Sequence, residues 1–404
     1  MTACSHPSPA LRATSPSGRG EDLDLVAAAR ALAPRIEAEA DRIEHDRAIP
    51  RDLVDALIDA GLFRMMLARS LGGLELDLPT YVKVIEEVAR ADASVAWCLG
   101  QGNGLLNYVT YADPTAAREV FAGGRTILAN GPGEGNRPGR AVPDPVHGGY
   151  RVTGKWNFAS GFPHATWLLA VCDIEGSEDG GKPDQRLMLV PKSSVTEHDV
   201  WHVSGLRGTG SQSFSLSDEF VPSARAIRVA PETRRQTGPL YHFTNNGFFG
   251  PAFGSVALGI AHGSLASLVE FAAGKVPRGM DRSIRENATV QLSVAQAHAR
   301  LCAARSYLHQ TLREVWDSVL ASGELRVDQQ VAVRLASTHA THEAAAVVDT
   351  AYLLAGSNAI FEDRPFERRF RDVHAVTQQL QARRAHYEHV GAYLLGLEPA
   401  RSLI

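Results

Sequence analysis

Several things are scarce in this 404-residue sequence. Its four cysteines, Cys4, Cys98, Cys172 and Cys302, are too scattered for a CxxC pair, and no histidine stands beside them at metal-finger spacing. That pattern argues against structural zinc or a disulfide framework and for a reducing cytoplasm. Excess charge is also missing: 41 Lys+Arg face 45 Asp+Glu, a net charge of −4, which excludes a strongly basic nucleic-acid surface. No window offers the roughly 20 apolar residues needed to cross a bilayer. The apolar stretch from Phe248 to Ile260 is interrupted by Gly250, Pro251, Gly254 and Gly259. Residues 1–20 contain no apolar run for a secretory signal and read as a disordered tail. No Gly-rich βαβ unit for a nicotinamide cofactor is found, so any such reductant must act through another protein.

What is present divides by texture. Hydrophobic residues make up 44% of the chain and charged residues 21%, a composition able to bury two or three cores. Over 21–125 the apolar period is helical: Leu25, Ala28, Ala29, Leu32 and Ile36, then Leu53, Leu57 and Leu62 between Pro50 and Gly61, then a helix from Tyr81 to Leu106. Over 126–230 Gly and Pro punctuate short β-formers, predicting strands near Tyr150, at 167–171, at 187–190 and at 214–216. Over 231–404 the helical period returns, from Val290 to Val319 and from Val331 to Tyr352, predicting a bundle of about four helices. Gly259 and Gly263 suit close helix approach. His339 and His342 stand at i, i+3 before Glu343, which is not the HExxH order and lacks a third ligand, so no metal centre is expected. Arg368, Arg369, Arg371, Arg383 and Arg384 are offset by Glu362, Asp363, Glu367 and Asp372, a pattern of a salt-bridged face.

Four segments together resemble the acyl-CoA dehydrogenase superfamily, and most closely its flavin-dependent two-component monooxygenases. They are LFRMMLARSLGGLELDLPTYVKVIEEVARADASVAW, GGYRVTGKWNFASGFPHATWLLAVC, SGLRGTGSQSFSLSDEFVP and LAGSNAIFEDRPFERRFRDVHAVTQQ, in this order along almost the whole chain. The resemblance implies a mostly α fold with a central β-domain, built from an N-terminal helical domain, a β-barrel-like middle domain and a C-terminal four-helix bundle. It implies that Phe158, Ser160 and Gly161 contact the flavin ring, Ser160 hydrogen-bonding its central nitrogen and so protecting an oxygen adduct. Arg282, with Arg278 and Arg285 equally placed by sequence, and the turn Gly356–Ser357–Asn358 match the places where the family grips the flavin phosphates across a subunit boundary, which implies a dimer of dimers. Taken alone, each of these residues is equally compatible with an ordinary turn or helix surface.

Dehydrogenases of this superfamily remove an α-proton with a glutamate nine residues beyond the Arg of the Arg–Asp pair, or with one on the helix opening the bundle. Here the first position is Leu380 and residues 238–262 contain no carboxylate, so desaturation of an acyl-CoA is disfavoured. His374 stands in the same segment and is assigned as the acid/base group, with Gln379 where related sequences often carry a second histidine. Trp97, Asn103, Asn130, Tyr241, Phe249 and Gln379 are expected around the substrate. The leading reading is a cytoplasmic homotetrameric monooxygenase that takes reduced FAD or FMN from a flavin reductase and uses dioxygen on a small aromatic or polycyclic molecule, with no nucleic acid or membrane partner. The alternatives are a flavin desaturase or oxidase on a CoA- or carrier-bound substrate, and a flavin-binding scaffold without chemistry.

Overall fold

The structure, a computed structural model, describes residues 24–398. The proposed N-terminal tail therefore lies outside the described residues. Among them the chain runs through six α-helices, eight strands and five further α-helices. The first group is α1 Leu25–Ala38, α2 Ala40–Asp46, α3 Arg51–Asp59, α4 Leu78–Ala91, α5 Ala93–Val109 and α6 Pro114–Phe121. The single helix expected from Tyr81 to Leu106 is two. Asp92 adopts an extended backbone (φ −150°, ψ 129°), and its side chain accepts the Val95 N–H at 2.9 Å, ending α4 and capping α5. Asp24 and Asp77 cap α1 and α4 in the same way.

The strands are β1 Leu128–Gly131, β2 Gly139–Asp144, β3 Gly149–Ala159, β4 Trp167–Asp179, β5 Lys182–Pro191, β6 Thr196–His198, β7 Gln212–Pro222 and β8 Ala226–Ile227. They form one mixed sheet in the order β6-β7-β3-β2-β4-β5-β8, with β1 running parallel alongside β4. Trp156 anchors this layer: it is fully buried, stacks on Phe214 with ring centroids 5.1 Å apart, and donates its indole N–H to Val171 O at 2.9 Å.

The last group is α7 Asn245–Gly274, α8 Ala288–Ser322, α9 Val327–Ala355, α10 Pro365–Thr377 and α11 Ala385–Leu394. The fourth member of the expected bundle is the short pair α10 and α11. The apolar stretch judged broken by glycine and proline is continuous helix, and α7 is long and apolar enough to cross a bilayer. It is instead the core helix, packed against α4, α5, α9 and α10. Its glycines permit that packing. A Cβ on Gly259 would stand 2.5 Å from the Ala89 Cβ and from Glu86 O, so α4 and α7 meet backbone to backbone. Beside that contact, buried Glu86 accepts from Arg305 Nε at 2.5 Å and meets His309 Nε2 at 2.6 Å, tying α4 to α8. His342 donates to Ala382 O and Glu343 pairs with Arg300, so these groups are used in bundle packing.

Candidate active site

The site starts at the end of β3. Its pairing with β7 slips between Trp156 and Ala159, a bulge that turns consecutive side chains to unexpected sides. Within it Phe158 takes φ +59°, a conformation that costs a non-glycine residue about 1–3 kcal/mol and is held by the surrounding pairing. The ring of Phe158 is 62% exposed and meets Trp201 edge to face, centroids 6.0 Å apart. Gly161, at φ +80°, completes the turn and donates its N–H to Thr209 O at 2.8 Å. Between them Ser160 points inward, only 8% exposed. Its Oγ accepts the Trp97 indole N–H at 3.0 Å and lies 2.8 Å from Ser211 Oγ. An exposed aromatic face beside a buried hydroxyl oxygen offers a stacking surface and a hydrogen-bonding atom that suit a planar heteroaromatic ring such as a flavin.

Helix α5 connects this turn to a cavity. Trp97, Gln101, Gly104 and Tyr108 fall at i, i+4, i+7 and i+11 and so share one face. Trp97 stacks on Phe253 of α7 at 4.0 Å, and Phe253 stacks on Phe249 at 5.9 Å. Gly104 makes room for that stack, since a Cβ there would lie 2.3 Å from Phe249 Cε1. Gln101, one turn or about 6 Å from Trp97, opens onto a cavity of about 460 Å³. Six carboxamides line it: Gln101, Asn130, Asn245, Asn246, Gln379 and Gln381. They are cross-linked, with Gln101 Nε2 donating to Asn130 Oδ1 at 2.8 Å and Gln381 Nε2 to Asn246 Oδ1 at 3.2 Å. Phe249 and Leu380 add apolar surface. Among the described residues none of those lining it is a carboxylate or a histidine, and burial pushes the phenol of Tyr108, the one titratable group among them, up to about 12.

The structure thus gathers Asn130, Phe249 and Gln379 at one cavity and places Trp97 behind it against Ser160. Three expectations are corrected. Asn103 does not face substrate: it is fully buried on the far side of α5, two residues out of phase with Gln101. Its amide is engaged by the Met66 N–H at 3.1 Å, Leu62 O at 2.8 Å and Leu99 O at 2.9 Å, making it a clamp on the loop after α3. Tyr241, 2% exposed, packs under Gly238 beside Glu75 in the connector before α7, away from the cavity lining. His374 turns away as well. Its Nε2 lies 2.8 Å from Asp349 Oδ1 on α9 and its ring is 4.5 Å from that of Phe370, so it is not poised over the cavity as acid or base. Five residues later, after α10 has ended, Gln379 is what reaches the lining.

At the other end of α7, Lys275 Nζ donates to Asn358 Oδ1, and Ile284 N–H closes the following loop onto Lys275 O at 2.9 Å. Exposed Arg282 stands two residues before Ile284 on that loop, and Lys275 ties the start of the loop to Asn358 of the Gly356–Ser357–Asn358 turn. Sequence reasoning missed Lys275, Gln101, Asn245, Asn246 and Gln381. Helical phase from Trp97 would have found Gln101; the others depend on how the ends of α7 and α10 meet.

Family models describe two parts of the chain: acyl-CoA dehydrogenase, N-terminal domain, over residues 21–119, and acyl-CoA dehydrogenase, C-terminal domain, over 252–384. The chain belongs to the acyl-CoA dehydrogenase superfamily. Within it, the similarity runs to flavin-dependent two-component monooxygenases. Indole-3-acetate monooxygenase of Pseudomonas putida is 28% identical over 370 residues, covering 90% of this chain and 92% of that one. The crystal structure of the HsaA monooxygenase from Mycobacterium tuberculosis superposes with a TM-score of 0.84 at 26% identity, over 95% of this chain and all of that one. XiaF from Streptomyces sp., solved in complex with FADH2 and glycerol, gives a TM-score of 0.84 at 25% identity over 93% and 96%. The HsaA protein of Mycobacterium tuberculosis, 26% identical over 391 residues, bears the name flavin-dependent monooxygenase, oxygenase subunit.

Proposed function

We propose that this protein is the oxygenase component of a two-component system, receiving reduced flavin from a separate reductase and using dioxygen to oxygenate a small, flat, uncharged substrate. One observation carries the reading over its dehydrogenase alternative. The position where the superfamily's α-proton base would stand is Leu380, and Leu380 lies in the cavity wall among carboxamides, with no group able to remove a proton from a thioester. An amide donates and accepts hydrogen bonds but does not titrate, so the cavity is built to orient a neutral polar ring without ionising it.

Reduced flavin, when bound, supplies the electrons for oxygen activation. Phe158, Ser160 and Gly161 hold its ring, Ser160 through its Oγ. The Trp97–Phe253–Phe249 stack excludes water between the flavin turn and the substrate cavity. Gln101, Asn130 and Gln379 orient the substrate. Lys275, Arg282 and the 356–358 turn hold the flavin phosphates of a neighbouring copy. Around that turn Leu353, Ile360 and Phe361 are 74%, 63% and 55% exposed, an apolar rim that supports assembly as a dimer of dimers. We place the reaction in the cytoplasm, where a reductase can deliver reduced flavin.

The test supplies a flavin reductase, NADH, flavin and oxygen with a panel of neutral aromatics, among them indoles, phenols and fused-ring heterocycles. Oxygenated product is expected for at least one. Anaerobic reduction of bound flavin by an acyl-CoA would overturn the reading.

A further inference from the structure

The hydroxyls behind Ser160 form a chain whose proton direction is fixed at both ends. The Trp97 indole nitrogen can only donate, so its 3.0 Å contact fills one lone pair of Ser160 Oγ. The Leu206 carbonyl can only accept, so its 2.8 Å contact takes the single hydroxyl proton of Thr209. Thr209 must then accept from Ser211 across 2.7 Å. Ser211, with its one proton engaged, must in turn accept from Ser160 across 2.8 Å. The donors therefore run Trp97 to Ser160 to Ser211 to Thr209 to Leu206 O. Ser160 has no proton left to offer outward; it offers one remaining lone pair.

That arrangement discriminates between two ring states. Reduced flavin carries an N–H at its central ring nitrogen, and oxidised flavin carries a lone pair there. An acceptor-only Ser160 matches the first and opposes the second. We propose that Ser211 and Thr209 are positioning residues that hold Ser160 as an acceptor and thereby select reduced over oxidised flavin. The inference rests on the flavin reading given above. For Ser160 to donate to an oxidised ring, the chain would have to reverse and take the Thr209 proton away from Leu206 O. Thr209 and Ser211 are 0% and 2% exposed, so no solvent replaces the lost bond. Leu206 is itself pinned: its N–H donates to Asp372 at 2.6 Å and its carbonyl also accepts the Trp201 indole at 3.1 Å.

Anaerobic titration of the full-length protein with oxidised and with chemically reduced FAD, and in parallel FMN, tests this through binding alone. The unaltered protein is expected to bind the reduced form more tightly. Ser211→Ala removes the acceptor for the Ser160 proton, and Thr209→Val lets Ser211 donate to Ser160. Both free that proton to point outward, and both should lower the oxidised-to-reduced Kd ratio by about tenfold, the worth of one buried hydrogen bond. Thr209→Ser keeps the hydroxyl and should restore the original ratio. Equal affinity for the two redox forms in the unaltered protein overturns the proposal, as does a ratio unchanged within twofold in folded Ser211→Ala and Thr209→Val. Absence of binding to either form in the unaltered protein overturns the flavin reading itself.

Discussion

Replacing Asn103 by leucine separates scaffold from site most sharply. The side chain of Asn103 makes three buried hydrogen bonds, two of them to Leu62 and Met66 in the loop that leads from α3 toward α4. Leucine has nearly the same volume, so the perturbation is polar: it leaves the Met66 N–H and the Leu62 carbonyl buried without their partner. Each such group costs about 1–3 kcal/mol, giving a total of about 4 kcal/mol. With an unfolding entropy of about 2.1 cal/mol/K per residue, that loss lowers Tm by about 5 °C in a chain of this size. Thermal unfolding followed by circular dichroism measures the shift, and flavin binding at 20 °C, well below the transition, should be retained. Gln101→Leu, two residues away but on the cavity face, should do the opposite, leaving Tm within about 1 °C while weakening substrate-dependent turnover. An Asn103→Leu protein with unchanged Tm and abolished turnover would refute the assignment of Asn103 to the scaffold.

Burial pushes the carboxyl of Asp372 up to about 7 although it accepts the Leu206 N–H. A raised acid contributes stability below its unfolded value near 3.9 and loses it as pH rises toward 7. Asp372→Asn keeps an acceptor for Leu206, so relative to the unaltered protein it should gain Tm progressively from pH 5 to pH 7 and then level off. Glu86 behaves oppositely: burial raises its pKa, but the His309 hydrogen bond and the charges of His309 and Arg305 outweigh it and hold the group below the ordinary glutamate value. Its contribution is present above the unfolded pKa and lost as pH falls through the depressed folded one. At pH 7 Glu86→Gln should cost about 3 kcal/mol in urea unfolding. Gly259→Ala, with its Cβ 2.5 Å from Ala89 and Glu86 O, should force α4 off α7 and cost about 1–3 kcal/mol by the same measurement.

The sequence made some of this legible and concealed the rest for definite reasons. The helical texture on either side of a Gly/Pro-rich β segment is visible because period and punctuation are local; the changes fall in the connectors 122–127 and 228–244. Ser160 stands out in the sequence because its turn carries the surrounding Trp156, Phe158 and Gly161 pattern. Asp92 as a break between two helices is missed because the apolar stripe runs on through it. β1, β2, β6 and β8 are missed because short strands gain their identity from partners distant in sequence. His374 misleads because residue type suggests chemistry while orientation decides it: helix α10 ends before the chain reaches the cavity, and the last residues out, Gln379 to Gln381, form the wall. The carboxamide lining could not be read as a set because its members come from α5, β1, α7 and the segment after α10.

Reduced flavin held at Ser160, as proposed, would react with oxygen under the protein's control. Stopped-flow mixing of the protein and chemically reduced flavin with aerated buffer tests that directly. Reoxidation is expected in at least two phases, with a spectrally distinct species that decays slowly and decays faster in Ser160→Ala. Reoxidation in one phase at the rate of free flavin, identical in both proteins, would contradict the proposal.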